Sequence, residues 1–237
     1  MKIAKIKSIK KISKISKKYD LSIEDNHNYF ASGILVHNCS MYRNYAHARS
    51  ISGNDHPSRH FVKSIHASIK HLIPERWRIC GENMFALHSI YYTELPSYFI
   101  VFAIFNEFNE EISWDETVKM CNDLGLTHVP VLYDGVYDLD KIKACYTGES
   151  LYKGWQPKKT ITDFKTYREM ILKGHSIETF SDLTQEGYVV RVADSFDYDN
   201  FVNHTVKFVR KNHVVTSEHW MSEQMIKNKL RKLNGNS

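Results

Sequence analysis

The sequence predicts a mixed α/β fold of the α+β kind, and three observations support this prediction. Residues 57–72 carry apolar side chains at helical spacing, residues 97–105 form an apolar run rich in β-forming side chains, and two strand-like segments follow late in the chain. The hydrophobic content of 42% over 237 residues is sufficient for a packed core.

Each element has its own local signal. The helix over 57–72 ends before Pro74, and a short strand is expected at 76–83, ahead of the buried strand at 97–105. Ser113 and Glu116 form an S-x-x-E capping box, which predicts a helix through about Leu124. The remaining elements are, in order, a strand and turn at 129–138, a helix at 163–173 closed by Gly174, and strands at 187–194 and 206–214.

The positive charge is concentrated at the start of the chain. Residues 1–38 contain eight lysines and three acidic residues, which accounts for the whole formal net charge of +5. The remaining residues are balanced, so nucleic acid would have to bind to a local basic patch rather than to a globally basic surface.

Other composition signals place the chain in the cytoplasm. No apolar run reaches the roughly 18 residues that a membrane span needs, and the lysine-rich residues 1–18 lack the apolar stretch of a secretory signal. The four cysteines form no C-x-x-C pair and no Cys/His zinc spacing, which is typical of a reducing compartment. We therefore expect a cytoplasmic protein with no membrane partner.

The tripeptide His37-Asn38-Cys39 can cleave its own backbone. The Asn38 side-chain amide can attack its own main-chain carbonyl and release the chain that begins at Cys39. His37 can polarise that carbonyl or protonate the leaving amine. The Cys39 thiolate can accept an acyl group from elsewhere.

The run that ends in this tripeptide, YDLSIEDNHNYFASGILVHNC, resembles the C-terminal end of an intein, in which YDL, an ED-x-H-N-Y-F-like segment and a terminal VHN-C recur. The resemblance implies a β-rich HINT-fold C-fragment over 1–38 and an extein over 39–237. It also implies that His27 assists proton transfer during Asn38 cyclisation and that Asp20 contributes to cysteine activation. Splicing of this kind needs no metal or cofactor.

The chain begins with Met1 about 38 residues before the junction, close to the usual size of the C-terminal piece of a split intein. We therefore expect its partner to be an N-terminal split-intein precursor. In split inteins that piece is typically acidic. The lysine-rich residues 1–18, which we call the basic arm, would therefore steer association in a salt-dependent way.

Residues 39–237, which we call the body, carry a second set of motifs. Residues 186–191 (EGYVVR) and 207–211 (KFVRK) resemble two motifs of the covalent nucleotidyltransferases, the ATP-grasp-like RNA and DNA ligases and capping enzymes. The fuller context looks most like a bacterial and phage RNA-ligase branch, and it covers nearly all of 40–220 in the right order. The residues that the resemblance assigns to ATP are Arg49, Glu82, Phe102, Glu186, Lys207 and Arg210.

The resemblance also implies what these residues do. Arg49, Lys207 and Arg210 would neutralise the phosphates, Glu82 would hold the ribose, and the aromatic strand that includes Phe102 would pack on the adenine. Glu186 would hold a metal or the ribose side, and Mg2+ would assist. RNA or a nicked nucleic acid is then the expected substrate.

One departure from the family decides how the two resemblances combine. These enzymes attack ATP with the lysine of a K-x-D-G motif near the start of the domain, and this chain has no such motif. The nearest approach, Asp134-Gly135, lacks the lysine and lies late in the order. In the family the motif falls just before the position of Cys39, so the lysine is expected on another polypeptide, joined by trans-splicing.

Two alternatives remain open at this stage. The body is a degenerate nucleotidyltransferase that binds nucleotide or nucleic acid, with the intein-like segment as a relic. Alternatively, the chain is a fragment of a contiguous intein-containing ligase, which Met1 disfavours.

Overall fold

The computed structural model describes part of the chain completely and part of it by its backbone alone. The residues described with side chains are 39–46, 57–158, 162–211 and 224–232, and those described by backbone alone are 6–11, 19–23, 30–31, 34–35 and 47.

Within the predicted intein fragment the described residues form two short antiparallel pairs. Strand β1 (Ile6–Lys11) pairs with β2 (Tyr19–Ile23), and β3 (Phe30–Ala31) pairs with β4 (Ile34–Leu35). The predicted residues His27, His37 and Asn38 lie outside the described residues, as does Arg49 of the body.

The described residues of the body form the remaining twelve strands and five α-helices, so this part of the chain is mixed α and β as expected. The strands are β5 (Cys39–Tyr42), β6 (Ala46–His47), β7 (Arg78–Asn83), β8 (Tyr91–Tyr92), β9 (Phe99–Phe105), β10 (Glu110–Glu111), β11 (Thr127–His128), β12 (Gly154–Pro157), β13 (Ser181–Leu183), β14 (Gly187–Arg191), β15 (Phe196–Asp197) and β16 (Thr205–Val209). The helices are α1 (His60–Ile69), α2 (Trp114–Leu124), α3 (Leu139–Ala144), α4 (Phe164–Leu172) and α5 (Phe201–His204).

A large sheet organises the body. Its strand order is β15-β10-β9-β7-β5-β6, and β11 adds to β9 in parallel. The apolar run of β9 lies at its centre, and Phe99, Val101 and Ile104 are fully buried against side chains of α1 and α2. Burial of these side chains on one face is the main stabilising contribution, since each large apolar side chain gains about 1.5–3 kcal/mol on burial.

A β-bulge separates the two halves of the β7–β9 ladder. Cys80 pairs with Ala103 whereas Gly81 pairs with Val101, so the intervening Phe102 has no partner on β7. A Cβ on Gly81 would lie 2.5 Å from the Phe99 ring, so this position accepts only glycine without rearrangement. The bulge thus depends on the glycine that precedes Glu82.

Two smaller sheets complete the body. One has the order β13-β12-β8, and the other is the antiparallel β14–β16 hairpin. A second core cluster stabilises the three-stranded sheet and α4, and its fully buried members include Leu87 and Tyr167. Among the helices of the described residues, none is long and apolar enough to cross a membrane.

Most of the predicted body elements are confirmed. The helix over 57–72 is α1 flanked by two short 3-10 turns, and both reciprocal hydrogen bonds of the Ser113–Glu116 capping box are present. Helix α4 begins after its N-cap Asp163 and is followed by Gly174 with a φ of 76°. The late strands are shorter than predicted, ending at Arg191 and Val209.

The predicted strand at 129–138 is wrong. The Val129 N–H still donates to the Val101 carbonyl at 2.8 Å, but Pro130 has no N–H with which to continue the ladder. The turn predicted in the same range is present as bends at 132 and 135–136, with the Tyr133 hydroxyl donating to the Val136 carbonyl. Val136 is 89% exposed.

Candidate active site

Polar side chains from several strands of the body converge on one region. Glu82 comes from β7, Glu186 immediately precedes β14, and Lys207 lies in β16. Arg210 follows β16, and its N–H donates to the Glu186 carbonyl at 3.0 Å. Four residues that the sequence assigned to one ligand therefore lie together, although they are separated by up to 128 positions in the chain.

Glu82 is the most perturbed group of this cluster. Removal from solvent and the negative charge of Glu186 together raise the pKa of its carboxyl to about 8, against the opposing charge of Lys207. A carboxyl in this state binds its proton at neutral pH unless a cation or a hydrogen-bond donor compensates the charge. The site thus favours a ligand that brings hydroxyl donors or positive charge to Glu82.

Glu186 and Lys207 form the open side of the cluster. Their Oε1 and Nζ atoms are 3.8 Å apart, and the side chains are 43% and 35% exposed. Ion pairs of this exposure contribute at most about 1 kcal/mol, so a ligand can replace the pair at little cost.

Arg210 is held from several directions. Its Nε donates to the Gln185 carbonyl at 3.1 Å, and its Nη2 donates to the Gln156 side-chain oxygen. The Gln185 side chain in turn accepts from the Thr147 N–H at 3.1 Å. Gln156 of β12 and Gln185 of the β13–β14 connection were not identified from the sequence, because a lone Gln carries no motif.

The glycine of the EG pair has a steric reason. A Cβ on Gly187 would lie 2.0 Å from the carbonyl oxygen of Phe208, on the partner strand. Only glycine allows β14 and β16 to approach this closely at the end of the hairpin where Glu186 lies opposite Arg210. Val189 pairs with Lys207 on the same hairpin face and is 56% exposed, so it adds an apolar surface that the sequence analysis did not assign.

A tyrosine also borders the cluster. Burial and the charges of Glu186 and Glu82 raise the pKa of Tyr92, whereas the nearby Arg210 lowers it. The Tyr92 N–H donates to the Asn228 side chain at 2.9 Å, which fixes the β8 backbone. Tyr92 therefore presents a protonated phenol to the carboxylates.

Arg191, the last residue of the EG motif, connects the hairpin to the large sheet. It forms an ion pair with Glu111 of β10, and their side chains are 14% and 3% exposed. Its guanidinium also lies 5.6 Å from the ring centroids of Trp114 and Phe196. Burial raises the pKa of Glu111 to about 7, against the opposing charge of Arg191.

Phe102 lies at the bulge of β9. Its ring is partly buried and packs against the cluster of Cys80, Ala103 and Phe105. Strand alternation places Cys80 and Glu82 on the same face of β7. Phe102 therefore lies on the sheet face that carries Glu82.

Cys39 is the first residue of β5, and its Cα pairs with that of Gly81. It is 3% exposed and belongs to the main core cluster. Burial, followed by the charge of Glu82, raises the pKa of its thiol to about 12. Asp20 lies in the β2 backbone, where it pairs with Lys10, and its side chain lies outside the described part of the chain.

Across the described residues, no group of three or more His, Cys, Asp or Glu side chains is arranged to hold a metal ion. The pair Glu82 and Glu186 fits the other common mode, in which Mg2+ is bound by one or two carboxylates together with substrate phosphates.

A family model described as RNA ligase matches residues 29–209. No curated protein and no solved structure matches the chain. The family match begins within the predicted intein fragment, and the intein assignment of residues 1–38 stays a prediction from the sequence.

Proposed function

The chain belongs to the RNA ligase family, and we propose that it supplies the nucleotide-binding part of an ATP-dependent RNA ligase. One observation carries the proposal: Glu82, Glu186, Lys207 and Arg210 form one cluster, although the chain lacks a K-x-D-G lysine. A binding site without its nucleophile requires the lysine from another polypeptide.

The reaction would proceed through a lysyl-AMP intermediate. The incoming lysine amine attacks the α-phosphorus of ATP, a P–N bond forms, and the bond to pyrophosphate breaks. Lys207 and Arg210 would compensate the negative charge on the phosphoryl oxygens, and Glu82 would accept or share a ribose hydroxyl proton. Mg2+ bound with ATP would add further neutralisation, with Glu186 as its protein ligand. The AMP group then activates an RNA 5′-phosphate for attack by a 3′-hydroxyl.

The strand register supports the position of the missing lysine. Cys39 pairs with Gly81, and β5 runs antiparallel to β7, so one further pair in the same register would face Glu82. An upstream extein that ends in K-x-D-G directly before Cys39 would place its lysine about 13 Å or less along the chain from Cys39. The lysine would therefore enter the sheet beside the cluster.

We further propose that trans-splicing joins the two polypeptides. The upstream extein is first transferred as a thioester to Cys39 Sγ. The Asn38 side-chain nitrogen then attacks its own carbonyl carbon, which breaks the bond to Cys39 and leaves a cyclic imide. The freed Cys39 amine attacks the thioester, so that a peptide bond forms and the thiol is restored. His37, His27 and Asp20 would assist the proton transfers.

The burial of Cys39 sets an order for these steps. A thiol that is 3% exposed with a pKa of about 12 supplies almost no thiolate at neutral pH. Since β5 is packed in the large sheet of this chain, transfer to Cys39 would require that β5 first leaves the sheet. The ligase core would be completed after splicing, when β5 packs again.

Peptide mapping of the protein from its native source tests this proposal. Trypsin releases a peptide that ends at Arg43. We expect residues 39–43 to follow a foreign sequence that ends in K-x-D-G, and Asn38→Ala or Cys39→Ala to abolish that junction. A peptide that runs only from Tyr19 through Asn38 into Cys39 would refute splicing under those conditions.

The ligase part has a separate test. We expect the isolated chain to form no covalent, alkali-stable and acid-labile AMP adduct with radiolabelled ATP, and the joined product to form one that Lys207→Ala weakens. An adduct on the isolated chain would show that a lysine of this chain is the nucleophile.

A further inference from the structure

The β14–β16 hairpin presents an apolar face away from the large sheet, which we call the outer face. Its register pairs Tyr188 with Phe208 and Val190 with Val206, so these four side chains point to one side. The opposite side carries Arg191, which contacts Glu111 of the large sheet. The outer face is thus directed away from the large sheet.

Three aromatic rings lie side by side on this face. The ring centroids of Tyr188 and Phe208 are 5.1 Å apart, and Tyr146 contacts Phe208 edge-on at 5.3 Å. Phe208 is nevertheless 41% exposed, and Val206 is 63% exposed. Tyr146 and Tyr188 are partly buried, so the three rings form a partly exposed aromatic surface on which bases can stack.

Exposed lysines flank the rings. Lys143 is joined to the face because its carbonyl accepts from the Tyr146 N–H at 3.1 Å, and Lys211 follows Phe208 by three residues. Among the described residues, neither lysine forms an ion pair. Since the charges of residues 39–237 balance overall, this local arrangement is what a polyanion would recognise.

We propose that the outer face binds single-stranded RNA, with bases stacked on Tyr146, Tyr188 and Phe208 and phosphates near Lys143 and Lys211. This inference rests on the proposed ligase function. A nucleotide strand offers bases that can stack on these rings and phosphates that can reach the lysines beside them. Bases inside an A-form duplex are already stacked on one another, so a duplex cannot use the rings.

The position of the face gives it a role in the reaction. Tyr188 lies two residues after Glu186, at the end of the hairpin next to the active-site cluster, whereas Lys207 lies on the opposite face from Phe208. A strand bound across the rings would reach the cluster around this end of the hairpin. The outer face would hold the RNA whose end is to be joined.

Fluorescence anisotropy with a 5′-labelled oligouridine of about 12 nucleotides tests the inference on the full chain, without ATP or partner. We expect the double variant Tyr188→Leu/Phe208→Leu to bind at least about tenfold more weakly, because leucine preserves apolar packing but cannot stack. Val206→Ala, on the same strand face, is the matched control and should change affinity less than about twofold.

A second measurement does not depend on the packing of the rings. Lys143→Ala/Lys211→Ala should lower the slope of log affinity against log salt by about 1.4, at about 0.7 per phosphate contact. The basic arm at 1–18 contributes equally to every variant, so differences between variants report on the outer face. Thermal melting establishes that each variant is folded.

Several results would overturn the inference. It fails if the ring variant binds oligouridine as tightly as the wild type, if Val206→Ala weakens binding equally, or if an RNA duplex competes as well as the single strand. A chain that forms dimers dissolved by Phe208→Leu and has no RNA affinity would assign the face to a second copy instead. The binding assay contains no ATP, so it tests the outer face even if the adenylylation proposed above does not occur.

Discussion

The buried ion pair between Arg191 and Glu111 gives the strongest test of the fold. Replacing Arg191 by Met keeps much of the side-chain volume but leaves Glu111 buried without its counter-charge. Glu111 is 2% exposed, and its Oε2 atom already lacks a hydrogen-bond partner among the described residues. Breaking a buried pair in this way costs about 3–5 kcal/mol, more than most single substitutions.

A double-mutant cycle separates this cost from the loss of packing. We expect Arg191→Met to lower the free energy of unfolding in urea by about 3–5 kcal/mol. Glu111→Leu added to it should restore most of the loss, because an apolar pair of similar volume replaces two desolvated charges. The matched control is Lys119→Met, since Lys119 pairs with Asp123 but is 76% exposed. If Arg191→Met costs no more than that control, the pair does not join the hairpin to the sheet as argued.

Three further predictions address single positions. Gly187→Ala should lower the free energy of unfolding by about 1–3 kcal/mol, because the new Cβ would lie 2.0 Å from the Phe208 carbonyl oxygen. The control Val189→Ala should change the melting temperature little. Equal melting temperatures for the two variants would contradict the steric argument. Glu82 has a folded-state pKa of about 8 against an ordinary value of 4.5, so the folded state binds more protons and its stability falls as the pH rises between these values. Glu82→Gln should therefore flatten the pH dependence of the urea unfolding midpoint between pH 5 and pH 8. An unchanged slope would refute the raised pKa of Glu82. In the folded chain at pH 8, a thiol reagent should modify the partly exposed Cys145 well before the buried Cys39, as followed by peptide mass, and urea should remove the difference; early modification of Cys39 would show that β5 is not packed.

The body was predictable where local sequence and burial act together. The S-x-x-E capping box and the apolar run at 97–105 each specify their element, because the local preference and the tertiary environment agree. The strand predicted at 129–138 failed because its apolar residues suggested burial, whereas Pro130 removes the donor that the ladder requires. The missing N–H of Pro130 therefore ends the strand, although the apolar residues on either side favour it.

The candidate site was predictable only where motifs carry chemistry. Glu186 and Lys207 belong to recognisable motifs, and the structure brings them within 3.8 Å of each other. Gln156 and Gln185 contribute as much to the position of Arg210, but they hold it through one side-chain and one backbone oxygen that no pattern announces. Such supporting contacts depend on strand register and on the bulge, and neither can be derived from residue type alone.

The start of β5 is where the two proposed functions constrain each other. The strand needs Cys39 buried at its first position, paired with Gly81 next to Glu82, whereas acyl transfer needs the same thiol accessible and ionised. Under the splicing proposal, both needs are met only if β5 leaves the sheet for acyl transfer and packs again after joining. Packing of β5 after joining would also place the upstream lysine beside Glu82, since the chain leaves the sheet there. If trans-splicing joins the two polypeptides at this residue, as we propose, formation of the peptide bond would be coupled to assembly of the nucleotide site, because the lysine would reach the cluster through β5.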